Sequence, residues 1–127
     1  MKVKMRKTDV WIPDWNGNMD APEDEQIRFH HRFLSAAERK QYIYTRPIKL
    51  KTGQDDQGTE MEYVQDGKGI AMKVTSKIEN LTGEYDEDGS EFRVSTIQEL
   101  YASPFSDLVA MYEGYLLGAS AVVDPKN

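Results

Sequence analysis

The amino-acid sequence predicts an α+β fold, in which a small N-terminal β-hairpin or sheet is followed by a helical C-terminal half. Apolar and polar residues alternate from Gln26 to Phe33, which is typical of a half-buried strand. Beyond Gly67 the apolar residues recur at helical spacing instead. Because a length of 127 residues matches one domain, we expect a single domain over residues 1–127, β-rich over 1–66 and helical over 67–121.

Two strands and a tight turn are predicted near the N-terminus. Asp9–Ile12 predicts a short strand that stops at Pro13, and Asn16-Gly17 predicts a turn because both residues tolerate positive φ. The alternation over Gln26–Phe33 predicts the second strand. We expect one face of that strand to hold Ile27, Phe29, His31 and Phe33, and the other to hold Arg28, His30 and Arg32.

A helix is predicted directly after the second strand. Ser35 and Glu38 have the spacing of a capping box, in which each side chain satisfies a free backbone amide at a helix start. The helix should therefore begin at Ala36 and run to about Tyr44. It must end before Pro47, because the residue preceding a proline avoids the α region.

Two further strands are predicted on either side of a polar segment. Ile48–Leu50 and Glu60–Val64 have the composition of short strands. The segment between them, Lys51–Thr59, contains no apolar residue. Such a segment cannot bury surface to offset its ordering entropy, so we expect a mobile loop over residues 51–59.

The C-terminal half is predicted to contain three helices. The first follows Gly67 and Gly69, ends at Gly83, and is indicated by the spacing of Ile70, Val74, Ile78 and Leu81. An acidic loop, Glu84–Phe92, comes next. Ser95-Thr96-Ile97-Gln98 is a second capping-box candidate, which opens a short helix that Pro104 ends. Ser103 is then predicted to cap a final helix, with Pro104 at its first position, reaching Ala119 or Ala121.

Composition and charge exclude several classes of function. The chain has no cysteine, which excludes disulfides and thiolate chemistry and fits a reducing cytoplasm. No apolar run has the roughly 20 residues that span a bilayer. The net charge of −6 argues against binding nucleic acid through phosphates. The charge is uneven, since four of the first seven residues are basic while Glu23–Glu25 and Glu84–Glu91 are acidic.

No pattern of residues indicates catalysis, a cofactor or a metal. His30 and His31 are adjacent, so a strand directs them to opposite faces and they cannot share a metal; we expect His31 in the core and His30 in solvent. The loop from Glu84 has acids and a glycine where a calcium loop needs them, but its first residue is not Asp and its twelfth is Ser95. Gly67-Lys68-Gly69 is too short for a phosphate-binding loop. We therefore predict a protein that is not an enzyme.

Aromatic and apolar residues indicate a protein-binding surface instead. Trp11 and Trp15 flank a turn where complete burial is difficult. In the final helix one apolar stripe is formed by Phe105, Leu108, Val109, Tyr112, Leu116 and Ala119. Met111 and Tyr115 widen it, and Leu117 lies outside it. Either this helix is packed on two sides by its own domain, or it contributes to a partner surface. The candidate partner-binding residues are Trp11, Trp15, Met111, Tyr112, Tyr115, Leu116 and Leu117.

Three N-terminal segments resemble the tail assembly chaperones of long-tailed bacteriophages. They are Asp9 to Gly17, with its Pro-acid-Trp turn, Glu25 to Phe29, and Leu34-Ser35-Ala36-Ala37-Glu38-Arg39. The resemblance implies a non-enzymatic protein in the cytoplasm of a bacterial host. Such chaperones bind the long, hydrophobic tape measure protein and keep it soluble while tail tube subunits assemble around it. The resemblance implies no catalytic residues.

Two other classes stay open at this point. The chain also fits a structural virion component, such as a tail tube, connector or terminator protein, for which we expect rings. A small enzyme or regulator would need a pocket of convergent polar groups. For either phage reading the expected partners are the tape measure protein, a tail tube protein and further copies of the chain, with no nucleic acid and no membrane.

Overall fold

A three-stranded antiparallel sheet lies at the centre of the fold. The computed structural model describes residues 1–49 and 59–119. Strand β1 (Thr8–Trp11) pairs with β2 (Arg28–Arg32), which pairs in turn with β5 (Thr75–Glu79). Phe29 of β2 lies opposite Trp11 on one side and Ile78 on the other. The three strands therefore present one continuous apolar face, as the alternation in β2 predicted.

The connection from β1 to β2 is folded around the predicted turn. Asn16 and Gly17 both have positive φ, 51° and 79°, which confirms the turn. The buried Asn18 amide donates to the carbonyl of Pro13 at 2.9 Å, and Asn18 Oδ1 accepts from the backbone N–H of Ile27 at 2.6 Å. One amide side chain thus ties both ends of the connection together.

Helix α1 (Ala36–Tyr42) begins where the capping box predicted. The N–H of Glu38 donates to Ser35 Oγ at 3.1 Å, and the N–H of Ser35 donates to Glu38 Oε1 at 3.0 Å. The helix ends two residues before the predicted Tyr44, because Ile43 already belongs to a strand. Arg32 of β2 also donates two hydrogen bonds to the Glu38 carboxylate, at 2.8 and 2.7 Å.

Strands β3 (Ile43–Lys49) and β4 (Thr59–Gln65) form a separate two-stranded antiparallel sheet. β4 agrees with the predicted strand, whereas β3 begins five residues before the predicted Ile48. Pro47 lies inside β3, which is tolerated because, among residues 1–49 and 59–119, this strand pairs on one side only. Most of the predicted mobile loop, residues 51–58, lies outside the described residues.

The predicted helix from Ile70 to Leu81 is wrong beyond Val74. Helix α2 covers Gly67–Val74, and the chain then enters β5 and the hairpin of β6 (Leu81–Glu84) and β7 (Glu91–Val94). The apolar spacing fits both structures, and the pairing of β5 with β2 decides between them. Asn80, at φ 61°, turns the chain between β5 and β6. Gly83 lies in β6 beneath the Phe92 ring and ends no helix.

Two helices complete the described chain, α3 (Ile97–Ala102) and α4 (Ser106–Ala119). Thr96, and not Ser95, caps α3 by accepting from the N–H of Glu99 at 3.2 Å. The prediction that Ser103 caps α4, with Pro104 as the first residue of the helix, is wrong. The hydroxyl and the N–H of Ser103 both bind the Leu100 carbonyl and so end α3, which delays α4 to Ser106. The alternative end at Ala121 lies outside the described residues.

The described residues confirm the α+β class, with seven short strands in small antiparallel sheets and four α-helices. Strands dominate the N-terminal part and helices the C-terminal part. The core is formed by Phe29, Ile70, Ala71, Val74, Ile78, Leu81, Val94, Ile97, Leu100, Leu108, Tyr112 and Leu116. Across residues 1–49 and 59–119, no helix has the length and apolar character needed to cross a membrane.

Candidate protein-binding surface

Helix α4 places the centre of its apolar stripe inside the protein. Leu108, Tyr112 and Leu116 are each at most 1% exposed. The helix packs against α2 on one side and against the aromatic residues of the central sheet on the other. The wide apolar arc of α4 is therefore explained by packing within the chain, because the rest of the chain covers the helix on two sides. Tyr112 and Leu116 are therefore corrected from candidate surface residues to core residues.

Tyr112 is surrounded by aromatic rings, and its hydroxyl is hydrogen-bonded. Its ring centroid lies 4.4 Å from that of Phe29 and 5.2 Å from that of Trp11, which stacks on it. The hydroxyl lies 2.6 Å from Thr75 Oγ1. Burial raises the pKa of the Tyr112 hydroxyl above its usual range, despite the hydrogen bond to Thr75. This arrangement fixes β1, β2 and β5 against α4.

His31 and Tyr115 form a second link between sheet and helix. His31 Nδ1 lies 2.9 Å from the Arg32 carbonyl, so Nδ1 carries the proton and Nε2 accepts from the Tyr115 hydroxyl at 2.8 Å. Burial lowers the pKa of His31 and raises that of Tyr115 to about 12. His31 lies in the core as predicted, but His30 is half-buried against the Glu79 carboxylate, with which it hydrogen-bonds, and is not in open solvent.

Trp15 fastens the N-terminal turn to the start of α4. Its indole N–H donates to Asp107 Oδ2 at 2.8 Å, and its ring meets the edge of Phe105 with centroids 5.4 Å apart. The hydrogen bond from Trp15 holds the pKa of Asp107 below its usual range. Trp11 and Trp15 are both partly buried. Both tryptophans thus join the turn and β1 to the helix.

The remaining candidates on α4 are scattered. Met111 is 38% exposed, whereas Leu117 and Tyr115 are half-buried and pack against the core. Leu117 lies outside the main stripe, as predicted, yet it is still partly covered by the chain. Met111 alone of the candidates on α4 is exposed, so the structure does not bring the seven predicted residues together as one open surface.

An exposed apolar face lies instead on the two-stranded sheet of β3 and β4, which we call the arm. The register places Pro47 opposite Met61 and Thr45 opposite Tyr63, and all four side chains lie on one face of the two strands. Met61 is 61% exposed and Tyr63 is 60% exposed. The sequence indicated these strands, but it did not show which face the rest of the chain leaves open.

The opposite face of the arm is mixed, and the base of the arm is anchored to the body. That face holds Tyr44, Ile48 and Val64 together with Arg46, Glu60 and Glu62. Arg46 donates to the Glu62 carboxylate at 2.7 Å. The N–H of Asp66 donates to the Tyr42 carbonyl at 2.7 Å, which joins the end of β4 to the end of α1. Ile43, at the start of β3, packs against the core. An arm fixed at its base and apolar on one exposed face is suited to contact other proteins.

A shallow cleft of about 440 Å³ lies beside Trp15. Ile27 and Phe105 contribute apolar surface, and Glu25 and Glu84 contribute carboxylates. Both glutamates are exposed, so neither has the apolar surroundings that general acid catalysis requires. The described part of the chain contains no cluster of three or more residues able to hold a metal ion.

The acidic loop between β6 and β7 is organised by its own hydrogen bonds. Asp88 Oδ1 accepts from the N–H of Ser90 at 2.9 Å and from its hydroxyl at 2.7 Å, which lowers the pKa of Asp88. Strands flank the loop on both sides, whereas a calcium-binding EF-hand loop joins two helices. The geometry is that of a hairpin turn.

Compared with known proteins, the chain matches no family model, no curated protein and no solved structure.

Proposed function

We propose that the chain is a tail assembly chaperone of a long-tailed bacteriophage. In this proposal it binds apolar segments of the tape measure protein, or tail tube subunits, in the cytoplasm of the infected bacterium. It keeps them soluble until the tail assembles, and it catalyses no reaction. The contact surface is the apolar face of the arm, with Met61 and Tyr63 at its centre.

The exposed face of the arm is the observation that supports this proposal most directly. Met61 and Tyr63 are both about 60% exposed and adjacent on one strand face. Methionine adapts to irregular apolar partners, and tyrosine adds a large ring with a polar end, so both suit a surface that accepts many sequences. The net charge of −6 keeps such a protein soluble while it exposes apolar groups.

The segments that resemble the chaperones also form one continuous unit. β1, the Asn16-Gly17 turn, β2 and the capped start of α1 follow one another and are joined by hydrogen bonds. The bidentate contact of Arg32 with Glu38 links the last two of these elements. This supports the proposal, because the residues that resemble the chaperones together build one connected part of the structure.

Co-expression tests the proposed function. The chain is produced together with overlapping segments of the longest reading frame near its gene, the candidate tape measure protein, and the soluble yield of each segment is measured. We expect at least one segment to be soluble only with the chain, and to lose solubility with Met61→Ser combined with Tyr63→Ser.

Met72→Ser combined with Tyr85→Ser is the matched control, because these residues have the same types and are also exposed. The control should retain the effect of the wild-type chain. Segments that stay equally insoluble with and without the wild-type chain would overturn the proposal.

A structural virion component is the second candidate, and the arm favours it as well. Two-stranded ribbons are marginally stable in water, and inter-subunit contacts are one way to cover them. A tube, connector or terminator protein would remain in finished particles, whereas a chaperone would leave. Mass spectrometry of purified virions, with electron microscopy of the isolated protein for rings, distinguishes the two.

A further inference from the structure

The cleft beside Trp15 runs along one edge of strand β6. Thr82, Gly83 and Glu84 of β6 line it, and of the described lining residues none belongs to β7. Most of the other lining residues belong to the connection between β1 and β2. The volume of about 440 Å³ lies within the roughly 300–1,000 Å³ that is typical of ligand sites. The cleft therefore has room for a short stretch of polypeptide.

The backbone of β6 is open on the side away from β7. The N–H of Tyr85 donates to the Ser90 carbonyl at 2.8 Å, so these two residues form a hydrogen-bonded pair. Antiparallel pairs alternate between bonded and non-bonded, and Thr82 and Glu84 therefore direct their N–H and carbonyl groups away from β7. Across residues 1–49 and 59–119, β6 pairs with β7 alone. A free strand edge of this kind accepts an added strand.

Contacts within the chain hold the cleft in shape. The Trp15 indole is fixed by its hydrogen bond to Asp107 at 2.8 Å and by its edge contact with the Phe105 ring, which also lines the cleft. The Asn80 amide donates to the carbonyls of the two residues on either side of Glu25, each at 3.0 Å. Because these groups are already fixed, a ligand that enters the cleft orders few of them, which reduces the cost of binding.

The charge of the cleft is negative. Glu25 and Glu84 are exposed carboxylates, and the described lining residues include no lysine, arginine or histidine. Glu84 also lies directly opposite Glu91 of β7, and like charges in facing positions destabilise a sheet. Within residues 1–49 and 59–119, none of these three glutamates forms an ion pair. A cation bound in the cleft would offset this repulsion.

We propose that the cleft binds an extended, basic segment of another protein, which adds to β6 as a third strand beside the hairpin. The segment pairs with the outward N–H and carbonyl groups of Thr82 and Glu84. Its arginine or lysine side chains lie near the Glu25 and Glu84 carboxylates and over the Trp15 ring, since aromatic faces attract cations. A second copy of the chain is a poorer occupant, because a net charge of −6 makes two copies repel each other.

This contact is separate from the arm. The described residues that line the cleft lie within 15–27, 80–84 and at 105, and none of them belongs to β3 or β4. The proposal does not rest on the proposed function, and its failure leaves that function standing.

Fluorescence anisotropy of a labelled peptide tests the proposal. The probe is a capped peptide of alternating arginine and valine, and in the control peptide glutamate replaces every arginine. At low salt we expect saturable binding of the arginine peptide to the full chain, and no binding of the glutamate peptide. The cleft variant, Glu25→Gln combined with Glu84→Gln, should bind the arginine peptide roughly tenfold more weakly, because two ion pairs are lost.

Glu60→Gln combined with Glu87→Gln is the matched control variant, because both residues are exposed glutamates outside the cleft and the change of charge is the same. The control variant should bind the arginine peptide like the wild type. An arginine peptide that does not bind the wild-type chain overturns the proposal. So does a cleft variant that binds this peptide as tightly as the control variant.

Methylation of the peptide backbone tests strand addition separately from charge. In an extended peptide every second N–H lies on the same edge, so methyl groups on the nitrogens of all arginines block one edge and those on all valines block the other. We expect one of these two methylated peptides to bind like the unmethylated peptide and the other to lose binding. Equal affinities overturn the proposal.

Sedimentation velocity identifies the alternative occupant. We expect the wild-type chain to show no association through the cleft. A wild-type dimer that the arginine peptide dissociates would assign the cleft to a second copy and overturn the proposal.

Discussion

Replacing Tyr112 by alanine removes the largest side chain that is completely buried in the described structure. The ring contacts Phe29 and Trp11, and the hydroxyl binds Thr75. Truncating a buried aromatic residue costs about 3–5 kcal/mol, because the lost transfer free energy is joined by that of a cavity. The total free energy of unfolding of a domain of this size is roughly 5–15 kcal/mol. Tyr112→Ala should therefore be close to unfolding at 37 °C.

Tyr112→Phe separates the ring from the hydroxyl. It keeps the packing and removes one hydrogen bond, so the expected cost is about 1 kcal/mol. Urea unfolding of both variants, followed by circular dichroism and by the fluorescence of Trp11 and Trp15, gives the two free energies. An alanine variant that unfolds at the wild-type urea concentration would refute the placement of Tyr112 in the core.

Four further changes have defined outcomes. As pH falls from 7.5 to 5 the chain should lose stability, because burial lowers the pKa of His31 in the folded state. The unfolded chain therefore takes up a proton at this histidine first, below about pH 6.5. His31→Gln should reduce this loss, as measured by urea unfolding. Ser35→Ala removes a helix cap and should cost about 1 kcal/mol in the same assay. Gly83→Ala overlaps the Phe92 ring and should cost about 1–3 kcal/mol. A Cβ added at Gly114 in α4 meets no atom within 4 Å beyond its neighbours and the helix's own backbone. Gly114→Ala should therefore stabilise the chain by about 0.5–1 kcal/mol through helix propensity and raise the melting temperature.

Each of these outcomes has a result that would contradict it. Stability that is flat between pH 7.5 and 5 would contradict the buried, neutral state of His31. A Ser35→Ala variant with wild-type stability would mean that the cap adds nothing to α1. Gly83→Ala as stable as wild type would mean that the close packing of β6 on Phe92 is not maintained in solution. A lower melting temperature for Gly114→Ala would contradict the open surroundings of that glycine in α4.

Local signals in the sequence predicted local structure well. The capping box at Ser35 and Glu38 fixed the start of α1, because both of its hydrogen bonds join residues three apart. The Asn16-Gly17 turn and the alternation in β2 were predicted for the same reason. These features depend on few residues that are close in sequence, and the distant parts of the fold do not override them.

Features that depend on distant partners were predicted poorly. Ile78 and Leu81 fit a helix and a strand equally, and only the pairing of β5 with β2 selects the strand. The wide apolar arc of α4 suggested a free surface, but Trp11 covers one side of the helix through Tyr112 and Tyr115. The exposed face of the arm was not predicted. Alternation of residues along a strand shows that its two faces differ, but it does not show which face the rest of the chain packs against.

The central claim is that the chain meets other proteins through the arm and not through α4. Hydrogen–deuterium exchange tests it directly, measured on the chain alone and with a bound tape measure segment. We predict new protection over residues 43–49 and 59–65, with little change over residues 106–119, which are already packed in the core. New protection along α4 with no change in the arm would contradict that claim.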